Sequence, residues 1–340
     1  MSTDSQILVG DVGGTHARFA VVEPSVAGPW RVLERLDLEE RFATFEEALR
    51  SYLERTGLTP LPRRAAIAVA GPVVAGVARF TNRGWEISEE ALRHLGFKRA
   101  LLVNDFAALA LAVDVLEEKH LRTIGPKRQG PEDGNITILG AGTGFGVSCL
   151  ARYGNTAVPM ATEGGHMSFA PGNAQELAAL QLMWKEEGRV SVERILSGEG
   201  LEHLYRTLER LAGREPPALT AAQISAAAQR NETGPTAALT MFCAIFGAVA
   251  GDLALAHGAR GGVYIAGGIA EKIQKFLLQS PFRQRFEDKG RLTAYVAAIP
   301  TQLIVNPDIA LLGAARSSMV LAPIRVQHGR PMNRLRAGAV

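Results

Sequence analysis

The stretch ILVGDVGGTHARFAVV, residues 7–22, decides the fold of this chain. Two short apolar runs rich in Val and Ile flank a glycine turn, a pattern that predicts two buried strands joined by a tight connection. Gly13 and Gly14 leave room for backbone N–H groups to approach an anion, and Thr15 adds a hydroxyl donor. Asp11, at the end of the first run, would repel phosphate unless a cation such as hydrated Mg²⁺ stood between them. The stretch therefore predicts a phosphate-binding hairpin, with a plain glycine hairpin and a solvated Asp as the alternative.

The two familiar phosphate loops are excluded. The chain contains no G-x-x-x-x-G-K-[ST] sequence, and residues 7–22 do not fit G-x-G-x-x-G. The hairpin pattern recurs instead: an apolar run at 136–139, a glycine turn with a threonine at 140–144, and a second apolar run at 145–151. Two such hairpins predict two related α/β domains that face one cleft.

Length and composition fit this division. At 340 residues, 47% hydrophobic and 21% charged, the chain is typical of a globular protein with two domains. We expect a small α/β domain from residues 1–115 plus 306–322, a large α/β domain over 116–305, and a flexible basic tail over 323–340. The tail has no aromatic residue, so no nucleic-acid partner is expected.

The cysteines, the N-terminal residues and the longest apolar stretch indicate in which cellular compartment the protein is expected. Cys149 and Cys243 both lie in apolar runs and are expected to be buried thiols, which indicates a reducing compartment. The N-terminus lacks a signal-peptide pattern, so we expect a cytoplasmic protein. The apolar stretch 237–256 has helical spacing and is interrupted by glycines and Asp252, which favours a buried core helix over a membrane span.

The pattern along the chain predicts alternating strands and helices in the first third and mostly helices in the second half. We expect strands at 30–38, 65–70, 100–103, 262–266 and 296–304, helices at 44–55, 88–95, 106–113, 173–187, 197–212, 220–230, 235–257 and 306–319, a polar turn at 80–85, a surface connection at 117–135 and a turn at 162–171.

Six motifs in order then establish a resemblance. They are GDVGGTHAR at 10–18, NDF at 104–106, GAGTG at 140–144, EGGH at 163–166, VSVER at 190–194 and AGGI at 266–269. Together they span about residues 6–320, and the chain resembles bacterial glucokinases of the ATP-dependent hexokinase group. The resemblance implies the two-domain actin-like ATPase (ribonuclease H-like) fold with a cleft between the domains.

Asp105 is the candidate catalytic residue. It follows a buried strand, where α/β sheets place ligands, and a carboxylate beside the amide of Asn104 can hold a hydroxyl and accept its proton. From the residues alone, the favoured role of Asp105 is the N-cap of the following helix. The resemblance places the catalytic base of the family on Asp105.

The acceptor site is expected from carboxylates and an imidazole that can read adjacent sugar hydroxyls. By resemblance, Asn104, Asp105, Glu163, His166 and Glu193 form the glucose site. Glu193 could otherwise be a solvated carboxylate near a helix start, and His166 an ordinary surface histidine. Two turn residues are expected to contact the sugar or shape the mouth of its site: Gly71 and Asn82.

The nucleotide site follows from the glycine turns. Asp11 is expected to contact Mg²⁺, with water between them as one possibility, and the terminal phosphates of ATP are expected on the same turn. The full set expected to bind the cofactor is Gly10, Asp11, Gly13, Gly14, Thr15, Gly142, Thr143, Gly144, Gly267 and Gly268, the last two near the adenosine.

The resemblance implies phosphorylation of D-glucose at its 6-hydroxyl by ATP and Mg²⁺, in a homodimer. Three alternatives stay open at this stage: a kinase for another hexose or an amino sugar, a non-catalytic sugar-sensing regulator, and a filament or chaperone ATPase. No cysteine follows His166 until Cys243, so the zinc site of a related sugar-kinase and repressor family is not expected.

Overall fold

The computed structural model of the chain describes residues 5–13, 16–26, 28–38, 42–80, 84–154 and 156–321. The basic tail predicted over 323–340 lies outside these residues. Within them, two large sheets and their helices follow one another along the chain, and the last helix returns to the first sheet.

The first sheet forms from the opening hairpin and the strands that follow it. The elements are β1 (Ile7–Val12), β2 (Ala17–Glu23), β3 (Arg31–Leu38), α1 (Phe45–Thr56), β4 (Arg64–Val69), β5 (Val77–Phe80), β6 (Trp85–Ser88), α2 (Glu89–His94), β7 (Arg99–Asn104) and α3 (Asp105–Ala112). The strand order is β3-β2-β1-β4-β7, with β1, β4 and β7 parallel. β5 and β6 form a separate two-stranded hairpin.

The second sheet repeats the plan with more helices. The elements are β8 (Leu121–Thr123), β9 (Ile136–Ala141), β10 (Phe145–Tyr153), β11 (Thr156–Thr162), α4 (Ala174–Glu187), α5 (Gly198–Leu211), α6 (Ala221–Gln229), α7 (Thr233–His257), β12 (Gly262–Ala266), α8 (Gly268–Lys272), α9 (Gln274–Gln279), α10 (Phe282–Glu287), α11 (Thr293–Ala297), β13 (Thr301–Ile304) and α12 (Ile309–Val320). The strand order is β11-β10-β9-β12-β13-β8, with β9, β12 and β13 parallel.

The long helix α7 is the centre of the larger core, as its spacing predicted. By length and composition alone it could cross a membrane, but 72% of its most apolar window is buried inside the fold. Its Phe246 ring lies 5.6 Å from the rings of both Phe145 and Phe282, in edge-on contacts that join β10 to α10. The helix is therefore packed by protein on most of its surface.

The helix α3 stands between the two sheets. On one side it packs against α12, where a Cβ on Gly313 would lie 2.3 Å from the Ala108 carbonyl oxygen, so the two backbones touch. On the other side Leu109 and Leu111 share a cluster with Ile136 of β9. Since Asp105 is the first residue of α3, the contact between the sheets begins at the predicted catalytic carboxylate.

Two sequence predictions about elements were wrong in part, and three further strands were not predicted. The strand expected over 296–304 covers only 301–304, because 293–297 are helical. The connection at 117–135 contains β8, and the pattern did not reveal β5, β6 and β11. β11 is an edge strand with Pro159 and mostly exposed side chains, so pairing with β10, and not its own hydrophobicity, makes it a strand.

Candidate active site

The carboxyl ends of three parallel strands bring the first group of predicted residues together. Val12 of β1, Val69 of β4 and Asn104 of β7 are paired in one register, and the Ala70 N–H donates to the Val12 carbonyl at 3.0 Å. Asp11, Gly71 and Asp105 consequently lie at one edge of the sheet. This is the edge at which parallel α/β sheets bind ligands.

Asn104, and not Asp105, caps α3. Its Oδ1 accepts the Ala107 N–H at 3.1 Å, and its Nδ2 donates to the Gly71 carbonyl at 3.2 Å. The alternative in which Asp105 is the N-cap is therefore wrong. Gly71 has φ +142°, a conformation that favours glycine, so it is explained by the turn that presents its carbonyl to Asn104.

The Asp105 carboxyl group lies in a setting that disfavours its charge. Burial raises its pKa to about 6, and the nearby carboxylates of Asp11 and Glu163 act in the same direction. The Phe106 N–H, which donates to Oδ1 at 2.8 Å, offsets part of this effect. A carboxylate with a pKa near 6 is a better proton acceptor at neutral pH than an ordinary aspartate.

Asp11 is paired across the hairpin with Arg18, whose role the sequence motif did not reveal. The pKa of Asp11 is raised, chiefly by burial. The positive charge of Arg18 opposes this effect, and the Asp37 carboxylate adds to it. Arg18 itself donates to Asp37 Oδ1 and to the Pro307 carbonyl, both at 2.8 Å. It therefore ties the opening hairpin to the segment that leads into α12.

The glycines of the opening hairpin differ in how closely their neighbours pack around them. A Cβ on Gly10 would lie 2.8 Å from Ile67 Cδ1, so Gly10, predicted to bind the cofactor, also packs closely inside the sheet. Gly13 has more space, because a Cβ there would lie 4.0 Å from its nearest neighbour, the His16 carbonyl oxygen. Gly14, Thr15 and Asn82 lie outside the described residues.

The second hairpin abuts the loop after β12. Gly267 has φ +93°, and a Cβ on it would lie 2.5 Å from the Ala141 carbonyl oxygen. Gly142 is fixed by its backbone, since its N–H donates to the Gly144 carbonyl at 2.8 Å and its own carbonyl accepts the Gly198 N–H at 2.9 Å. Around Gly142 and Gly268 a Cβ would meet nothing within 4 Å, which leaves their backbone open to a ligand.

The acceptor residues of the second sheet are linked to this hairpin. Glu193 Oε2 accepts the Phe145 N–H at 2.7 Å, and the Glu193 N–H donates to the Gly165 carbonyl at 2.9 Å. Glu193 lies in a turn five residues before α5 begins, near a helix start as predicted, and its half-buried, hydrogen-bonded carboxylate differs from the solvated alternative. His166 Nε2 and Glu163 Oε2 are 3.9 Å apart on the 163–166 turn, and both side chains are largely exposed.

A cavity of about 540 Å³ adjoins these residues. Thr143, His166 and Glu193 line it together, so it joins the second glycine hairpin to the acceptor turn. Asn104, Asp105 and Glu163 are not in the lining of this cavity. The acceptor turn is nevertheless related to the edge of the first sheet, because the charge of Glu163, like that of Asp11, raises the pKa of Asp105. Arg189, which also lines the cavity, donates to the His166 carbonyl at 2.6 Å and had no predicted role.

The donor set fits a hydrated cation better than a protein-enclosed one. Among the described residues, no group of three or more His, Cys, Asp or Glu side chains could hold a metal ion. The carboxylates of Asp11 and Glu163 nevertheless lie near enough to Asp105 to add to the effect of burial in raising its pKa. Mg²⁺, which keeps several waters and binds through one or two carboxylates plus phosphates, suits such a site.

Comparisons with known proteins agree on one family. The glucokinase family model matches residues 8–320. A glucokinase from Caulobacter sp. (strain K31) is 47% identical over 309 residues, which cover 91% of this chain and 93% of that protein. The crystal structure of a glucokinase from an Antarctic psychrotroph superposes with a TM-score of 0.85 at 37% identity, covering 93% of this chain and 99% of that one. A Balamuthia mandrillaris glucokinase in complex with glucose shares the fold, with a TM-score of 0.75 at 20% identity and coverage of 93% and 94%.

Proposed function

The chain belongs to the glucokinase family and phosphorylates glucose with ATP, and from this premise we propose that Asp105 is the general base of the transfer. Its fold is the two-domain actin-like ATPase fold of that family. The observation that carries the proposal is the Asp105 carboxylate at the start of α3, with its pKa raised to about 6. The alternatives of a sugar-sensing regulator, a filament ATPase or a kinase for another sugar are not favoured by this family membership.

Asp105 has two tasks in the proposed mechanism. It accepts the proton of the 6-hydroxyl as the phosphoryl group of ATP is transferred, and it holds that hydroxyl in line with the phosphate. Asn104 acts by fixing the position of Asp105, because its side chain bonds both the first turn of α3 and Gly71.

The other predicted residues are assigned to the rest of the sugar. Glu163 and Glu193 accept hydrogen bonds from the remaining hydroxyls and His166 accepts or donates one, since all three lie on the connected turns beside the second hairpin. Gly71 shapes the mouth of this site through the turn that carries it, and Asn82 is proposed there on the resemblance alone.

The nucleotide is proposed to lie between the two hairpins. Backbone N–H groups near Gly13, Gly14 and Thr15 would face the terminal phosphates, with Gly142, Thr143 and Gly144 on the other side and Gly267–Gly268 near the adenosine. Asp11 would hold Mg²⁺ through water, and the bound ion would offset phosphate charge. Gly10 is proposed to belong to the same turn, and it also packs against Ile67 inside the sheet.

The division into domains, the cellular compartment and the oligomeric state are also proposed. We divide the chain into a small domain, 1–115 plus 306–322, and a large domain, 116–305, a division supported by the two sheets and by the return of α12 to the first. The buried, unpaired Cys149 and Cys243 support a reducing, cytoplasmic location. A homodimer is proposed from the family resemblance.

The test is ATP consumption across a panel of sugars, with wild type and Asp105→Ala. We expect glucose-dependent turnover that Asp105→Ala reduces by about three orders of magnitude, while glucose binding by calorimetry persists. Near-normal turnover by a folded Asp105→Ala protein would contradict the role of Asp105. Hydrolysis of ATP without sugar would contradict the activity itself.

A further inference from the structure

Phe106, the residue after the proposed catalytic base, contacts the second sheet although it follows a strand of the first. Its backbone N–H donates to Asp105 Oδ1 at 2.8 Å, so its main chain is bonded to the carboxylate itself. Its half-buried side chain packs against a cluster that contains Ile136 and Ile138 of β9 and Leu150 of β10. One residue therefore touches the carboxylate with its main chain and the other sheet with its ring.

The strand β10 has no side chain at the point that this ring contacts. Successive side chains of a strand point to opposite faces, and those of Phe145 and Val147 lie in the larger core. Gly146, between them, faces α3 and is paired with Gly140 of β9. A Cβ on Gly146 would lie 2.5 Å or less from three carbons of the Phe106 ring. The ring therefore occupies the space that a side chain at position 146 would take.

The contact with Gly146 lies at the base of the second glycine hairpin. β9 and β10 are paired up to Ala141 and Phe145, and the Gly142 N–H closes the turn by donating to the Gly144 carbonyl at 2.8 Å. The base belongs to the first sheet and this hairpin to the second, so contacts between the sheets set their separation. That separation matters, because a displacement of about 1 Å between reacting groups can cost about 100-fold in rate.

We propose that Phe106 is a positioning residue that sets the separation between the Asp105 carboxylate and the second glycine hairpin. The proposal rests on the functions proposed above for Asp105 and for residues 142–144. In this role the ring acts through its neighbours and not on the substrates, and a glycine partner lets it approach the main chain of β10. An ordinary core residue would instead stabilise the fold without changing turnover by the folded protein, and this difference defines the test.

The experiment compares kcat, KM and calorimetric glucose affinity among variants of this contact, each shown to be folded by circular dichroism. Gly146→Ala adds a methyl group that only movement of the ring can accommodate, since Gly146 has no positive φ, and kcat should fall about 100-fold. Phe106→Ala removes the ring and should lower kcat about ten-fold or more, and Phe106→Leu should recover part of that loss. The KM for ATP and the glucose dissociation constant should stay within about three-fold of wild type, because alignment and not binding is lost.

Two further variants test whether the loss comes from this contact. The double variant Gly146→Ala/Phe106→Ala should match the kcat of Phe106→Ala within about two-fold, because the added methyl group then has no ring to displace. The matched control is Phe276→Ala, which removes the same ring from a half-buried position on α9 that packs against the larger core. It should lower the free energy of unfolding and leave kcat of the folded protein within about two-fold of wild type.

Wild-type kcat in Gly146→Ala or in Phe106→Ala would overturn the proposal, as would an equal loss in Phe276→Ala or a loss confined to glucose affinity. If Gly146→Ala does not fold, Phe106→Ala and Phe106→Leu decide the question in the same assay. Asp105→Ala, measured alongside, separates this proposal from the assignment of the base. Loss in Asp105→Ala with full activity in the Phe106 variants contradicts only the positioning role, whereas full activity in Asp105→Ala contradicts both.

Discussion

Adding one methyl group to the second glycine hairpin should weaken glucose binding even when no nucleotide is present. In Gly144→Ala the new Cβ would lie 2.5 Å from Glu193 Oε2, the oxygen that accepts the Phe145 N–H at 2.7 Å. The carboxylate must move away by several tenths of an ångström, and the hydrogen bond that holds it in place is lost. The backbone at Gly144 has no positive φ, so alanine itself is not strained there.

The expected size follows from the bond that is broken. A hydrogen bond to a charged group contributes about 1.5–3 kcal/mol, which corresponds to about a 10- to 150-fold change in an equilibrium constant. If all of this appears in sugar binding, the dissociation constant of glucose rises by that factor. Relaxation of the Glu193 side chain would place the result at the lower end.

Calorimetric titration with glucose in the absence of ATP measures the effect. Gly142→Ala is the matched control, because it changes the same hairpin at a position where a Cβ meets nothing within 4 Å, and it should bind glucose as wild type does. Adding Glu193→Ala to Gly144→Ala should weaken binding little further, since both changes act on one carboxylate. Glucose affinity within two-fold of wild type in Gly144→Ala, or equal loss in Gly142→Ala, would refute the link.

Three further predictions concern Asp105 and its neighbour. First, kcat/KM for glucose should fall about ten-fold per pH unit below about pH 6, because Asp105 must be deprotonated to accept a proton and burial raises its pKa to about 6; a pH–rate profile flat to pH 5 would contradict this. Second, Asp105→Asn should raise the free energy of unfolding at pH 8 by up to about 3 kcal/mol, because the folded pKa of about 6 against an ordinary 3.8 means that folding buries a charge above pH 6; the gain should vanish by pH 4, and urea denaturation at both pH values measures it. Third, Glu163→Gln should raise the KM for glucose by ten-fold or more and move the acid limb of the profile to lower pH, because the Glu163 charge raises the pKa of Asp105; an unchanged KM and an unmoved limb would leave Glu163 without its assigned role.

Local chemistry explains which parts of the fold were predictable. The opening hairpin, the strands that lead to Gly71 and Asn104, and the core helix α7 each have a hydrophobic period that few other structures can bury. β8 and β11 have no such period, because one is three residues long and the other is a mostly exposed edge. Their existence depends on partner strands that are distant in sequence, or that lie across a turn.

The candidate site, like the fold, has features that the local sequence predicts and features that depend on contacts between distant segments. The order and spacing of the six motifs by themselves predicted which residue types meet a phosphate and a sugar, since glycine turns and carboxylates have that chemistry wherever they occur. Only the tertiary structure decided the contacts that these residues make: Asn104 takes the cap and leaves Asp105 with a raised pKa, Gly10 packs against Ile67, and Glu193 is held by the second glycine hairpin. It also placed the Phe106 ring against Gly146. The physical reason is that burial, charge proximity and backbone contact arise between segments far apart in the chain, and no local pattern encodes distances between them.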